Sequence, residues 1–89
     1  MTIADWINQI EVSVISDNIS QGLADCDLGV AEVDALLELH QPPKRKAILE
    51  DARSEFLHWK EHLVHLPDPD QKANLHSLIA SLKAQLGGL

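Results

Sequence analysis

Three histidines stand at positions 58, 62 and 65, the i, i+4 and i+7 steps of an α-helix. At about 100° per residue those steps gather His58, His62 and His65 within about 60° of one helical face. Neutral imidazoles one turn apart can hold a zinc or nickel ion through their ring nitrogens. Glu55, three residues before His58, offers a carboxylate oxygen beside them. The candidate chemistry is metal ligation by a histidine ridge, and the plain alternative is a solvated polar face. Within the ridge, His58-Trp59-Lys60-Glu61-His62 has the H-x-x-E-H order of inverted zinc peptidases, where the glutamate activates water. Three fixed positions arise readily in a chain with 14 acids and five histidines. Catalysis would also need a distal glutamate and an enclosing cleft, and the motif alone supplies neither.

The remaining reactive groups are few. Cys26, the single cysteine, lies between Asp25 and Asp27. Flanking carboxylates raise a thiol's pKa and blunt its nucleophilicity, so Cys26 reads as structural. No glycine-rich phosphate loop, nucleophile elbow or paired acid/base carboxylates appear, and the expectation is a protein without catalysis or cofactor. Lys44-Arg45-Lys46 is the one basic cluster and opens the third segment, where the helix macrodipole disfavours positive charge. It is a candidate contact for an acidic group.

Composition narrows the classes further. At 45% hydrophobic and 24% charged, the chain is globular rather than disordered. A net charge of −7 opposes direct nucleic-acid binding, which needs a positive footprint for phosphates. It allows a basic protein partner or mimicry of nucleic acid. One cysteine forms no intramolecular disulfide, no apolar run approaches a membrane span, and the first residues lack a basic signal region. The expected setting is the cytoplasm.

These residues have to be positioned by helices. Gly22, Pro42-Pro43, Leu66-Pro67-Asp68-Pro69 and Gly87-Gly88 punctuate the 89 residues into four segments of helical periodicity, one domain spanning residues 1–89. The expected fold is all-α, a small four-helix up-down bundle. In the third segment Leu49, Ala52, Phe56, Trp59, Leu63 and Leu66 recur at 3-4 spacing and form a core seam. The fourth presents Leu75, Leu78, Ile79, Leu82 and Leu86, with Asp68 and Gln71 as a capping box and Gly87 as left-handed C-cap. The short break between these two makes them an antiparallel hairpin. The second helix is expected from about Leu28 to His40, capped by Asp27 and stopped by Pro42.

The first segment is strand-like at Ile10, Val12 and Val14, yet a lone strand has no pairing partner, so a helix capped by Thr2 is expected. It presents Ile3, Ile7, Ile10 and Val14 on one stripe. Val12, Ile15, Ile19 and Leu23 form a second, roughly 150–180° away. A helix apolar on two sides is buried on both. With Trp6 as an anchor, Val12, Ile15, Ile19 and Leu23 are therefore the expected docking surface. They suggest a small acidic adaptor, regulator or inhibitor that binds protein through a helix face, chiefly as a homodimer and secondarily with a basic protein. A histidine-ridge metal binder and an acidic mimic that blocks a DNA-binding protein are the two alternatives.

Overall fold

The computed structural model describes residues 2–66 and 68–86. Among them run four α-helices and no strand: α1 Ile3–Ile15, α2 Ile19–Leu37, α3 Pro43–Leu63 and α4 Pro69–Leu86. Short connections force antiparallel neighbours. The helices close a ring, α1 on α2, α2 on α3, α3 on α4 and α4 back on α1. The result is an up-down bundle of 40 × 21 × 18 Å.

All six seam residues of the third segment, Leu49 to Leu66, are buried. Phe56 and Trp59 meet edge to face at 5.2 Å in the middle of the core. Leu75, Ile79 and Leu82 face them from α4, and Ile3, Ile7, Ile10 and Val14 from α1. The alternating Ile10-Val14 run is thus helical, and its period-2 pattern is coincidental. Thr2 caps α1 with a reciprocal box. Its hydroxyl accepts from the Asp5 N–H at 3.2 Å, and Asp5 accepts from the Thr2 N–H at 2.9 Å. The Thr2 backbone N–H first, and then the Thr2 hydroxyl, hold the Asp5 carboxyl below its ordinary pKa.

The boundary between the first two helices differs from the sequence expectation at both of its ends. The first helix ends at Ile15 instead of continuing past Ile19. Asp17 takes a left-handed φ of 55°. The Asn18 N–H returns to the Ser13 carbonyl at 2.8 Å and the Asp17 N–H to Val14 at 3.2 Å. That is a Schellman stop with aspartate in the place usually held by glycine. Asn18 then caps α2 by accepting from the Gln21 N–H at 3.2 Å. Asp27 is therefore mid-helix, not a cap, and Gly22 is no break. Gly22 and Gly29, two turns apart, are buried where α2 meets α3, with Leu63 and Phe56 filling the space that a Cβ would take.

At the α3/α4 corner, Asp68 accepts from the Asp70 N–H at 2.9 Å, so the cap is present. The box is not. The Asp68 N–H goes to the His65 carbonyl, and the Gln71 side chain turns to His62. The expected Gly87 cap lies outside the described residues.

Four ion pairs tie the ring together. Arg53 meets Asp34 at 2.8 Å and Lys60 meets Asp27 at 2.6 Å, both between α3 and α2. Lys83 of α4 reaches Glu11 of α1 at 2.9 Å, and Lys72 reaches Asp17 in the α1–α2 turn at 2.9 Å. In each pair the cation comes from the second half of the chain and the anion from the first.

Candidate functional site

The ion pairs fix the pairing of residues across the outer α2/α3 seam. On α2, Leu23, Asp27, Val30 and Asp34 follow a 4-3-4 spacing and share one side of the helix. Arg53, Leu57 and Lys60 of α3, together with Val64 at its C-cap, do the same. Antiparallel pairing of Asp27 with Lys60 and Asp34 with Arg53 then sets Leu23 opposite Val64 and Val30 opposite Leu57. From one end to the other, the seam alternates an apolar row, an ion pair, an apolar row and an ion pair. Leu23 and Val30 are half-buried against the core, whereas Leu57 and Val64 are 41% and 52% exposed.

This arrangement corrects the docking stripe expected from sequence. Val12, Ile15, Ile19 and Leu23 do not form one surface, because the chain reverses at Ser16–Asn18. Val12 and Ile15 face outward on α1, 60% and 61% exposed. Ile19 and Leu23 belong to α2 and lean on the core from the α3 side. Trp6 is half-buried, with its indole N–H hidden and without a hydrogen-bond partner among the described residues. The exposure of Leu57 and Val64 was not recognised from sequence, because nothing local shows which α2 residues they oppose.

The histidines divide likewise. α3 stops at Leu63 and Val64–Leu66 form a turn, so His65 leaves the helical ridge. His58 and His62 remain one turn apart with their Nε2 atoms 3.1 Å from each other. The Nδ1 atom of His62 lies 2.7 Å from Gln71 Oε1 on α4. Glu55 does not join them, since its carboxylate accepts the Trp59 indole N–H at 3.1 Å. Glu61 stands 3.8 Å from Nδ1 of His58, not on the Nε2 side where a shared ion would sit. Among the described residues no three His, Cys, Asp or Glu side chains gather as a metal cluster, so His58, His62 and His65 do not form a three-ligand site.

Lys44, Arg45 and Lys46 are exposed in the first turn of α3. Arg45 also lines a groove of about 270 Å³ with Ile3, Glu32, Leu36, Leu49 and Leu86. Cys26 is fully buried, and burial first, then Asp27 and Asp25, pushes its thiol from 9.0 up to about 12. Asp25 is buried too, accepting from Gln21 at 2.9 Å and lying 3.3 Å from the Ser13 hydroxyl. Among the described residues no helix is long and apolar enough to cross a membrane.

Comparison with protein-family models, with curated proteins and with solved structures finds no match to this chain.

Proposed function

We propose that this chain is a non-catalytic protein-binding module, and that its outer α2/α3 face receives a basic amphipathic helix from a partner protein. The carrying observation is the seam itself: Leu57 and Val64 exposed, Leu23 and Val30 half-buried opposite them, the Asp27–Lys60 ion pair between the two apolar rows and Asp34–Arg53 beyond the second. An amphipathic helix lays apolar residues at helical spacing into such a groove. Charge selects the partner. The chain is −7, and four of its seven cations are already engaged with its own acids. A basic helix is drawn to this body, whereas a second copy at −7 is repelled within a Debye length of about 8 Å at physiological salt.

The test uses a four-turn Leu/Lys amphipathic peptide with a Leu/Glu peptide as control, followed by fluorescence anisotropy. The expected result is salt-sensitive binding of the basic peptide, lost in Leu57→Asp/Val64→Asp and kept in Val12→Asp/Ile15→Asp. Equal binding by both double variants would place the surface elsewhere. Light scattering on the same proteins supplies the other check. A dimer that Leu57→Asp/Val64→Asp converts to monomer would make a second copy the occupant and overturn the basic-helix assignment.

A further inference from the structure

We infer that His58 and His62 form a two-point clamp for a late first-row divalent cation such as Zn²⁺, preset by Gln71. With metal–nitrogen bonds of about 2.05 Å, the 3.1 Å between the Nε2 atoms subtends about 98° at a shared ion, near the tetrahedral angle. The rings stand edge to face at 80°, with centroids 4.7 Å apart, so they converge without stacking. Imidazole suits zinc, copper and nickel better than hard cations. The surrounding net charge of −7 favours any cation.

Gln71 sets the tautomer. Its Oε1 only accepts, so the 2.7 Å contact makes Nδ1 of His62 the donor and leaves the Nε2 lone pair of His62 free. In the metal-free molecule that lone pair takes the Nε2–H of His58. Metal binding replaces this shared proton. His58 moves its proton from Nε2 to Nδ1, on the side where Glu61 Oε2 stands 3.8 Å away, and both rings stay neutral as ligands. No third protein ligand gathers among the described residues, and His58 is exposed, so water completes the shell. Because Gln71 belongs to α4, the ion also reinforces the α3/α4 pairing. A hydrogen bond to the far nitrogen of a ligating histidine is the usual way a protein tunes such a site.

The experiment titrates the full chain with zinc chloride and follows the imidazole ¹⁵N shifts. His58 and His62 are expected to move first and together, with Nδ1–H on both rings at saturation. His58→Ala and His62→Ala each weaken zinc binding by more than about tenfold, and Gln71→Ala by about tenfold. His65→Ala changes nothing. His58→Gln, which keeps a polar helix former at this exposed position, repeats the loss and separates it from any folding defect seen by circular dichroism. Zinc affinity unchanged in His58→Gln, or an equal loss in His65→Ala, would overturn the clamp.

Discussion

Replacing Gly29 with alanine tests how closely α2 and α3 approach. A Cβ built there would lie 3.0, 3.1 and 3.2 Å from three ring carbons of Phe56. That ring is fully buried and braced edge to face by Trp59 at 5.2 Å, so it has no room to withdraw. Overpacking of this kind costs about 1–3 kcal/mol, and the better helix propensity of alanine returns about 1 kcal/mol. The net loss expected for Gly29→Ala is about 1 kcal/mol, at the centre of a range of about 0–2 kcal/mol. For 89 residues an unfolding entropy of roughly 0.19 kcal/mol/K converts each 1 kcal/mol into about 5 °C of Tm. The Tm should therefore fall by about 5 °C. At Gly22 the nearest atoms are the two terminal methyls of Leu63, at 2.9 and 3.3 Å, which shift more readily than a ring. Gly22→Ala is expected within about 1 kcal/mol of the parent, on the stabilising side. Thermal and urea unfolding by circular dichroism give both numbers. Adding Phe56→Leu to Gly29→Ala should recover part of the loss as coupling. A Gly29→Ala protein more stable than the parent, or a Gly22→Ala protein that falls further than Gly29→Ala, would refute the close-approach argument.

Two further outcomes follow from local geometry. At Asp17, with φ of 55°, the alanine variant should be about 1 kcal/mol less stable than the glycine variant. Both lose the Lys72 partner, so their difference in urea midpoint isolates the backbone term. The buried Cys26 thiol should ignore a disulfide reagent at about pH 8 until the protein unfolds. Its raised folded pKa favours the native state fully below 9.0, and that contribution is lost as pH climbs from 9.0 towards about 12. A Cys26→Ala variant should show a shallower alkaline decline, and an identical decline would assign the loss to other groups.

The parts of the fold that were legible in the sequence rest on large residues at regular spacing. Leu49, Ala52, Phe56, Trp59, Leu63 and Leu66 bury as a 3-4 seam because no other side of α3 is apolar enough to compete. The α1–α2 boundary was misplaced because its stop uses Ser16-Asp17-Asn18, with no glycine or proline. Gly22 meanwhile resembles a break and is a packing position. Of the three histidines expected on one helical face, α3 carries His58 and His62, since spacing alone does not show that the helix ends before His65. The α2/α3 seam could not be assembled from sequence, because it depends on pairs such as Asp27 with Lys60, 33 residues apart.

The direction of the four ion pairs has a consequence for how the halves find each other. The first 42 residues contain eight acids and no lysine or arginine, and the remainder has six acids and all seven cations. The α1/α2 hairpin is thus −8 and the α3/α4 hairpin +1. Two copies of the acidic hairpin repel, so a nascent first half does not adhere to its own kind while it waits for the second. The charge asymmetry favours pairing of one hairpin with the other over pairing of two acidic hairpins.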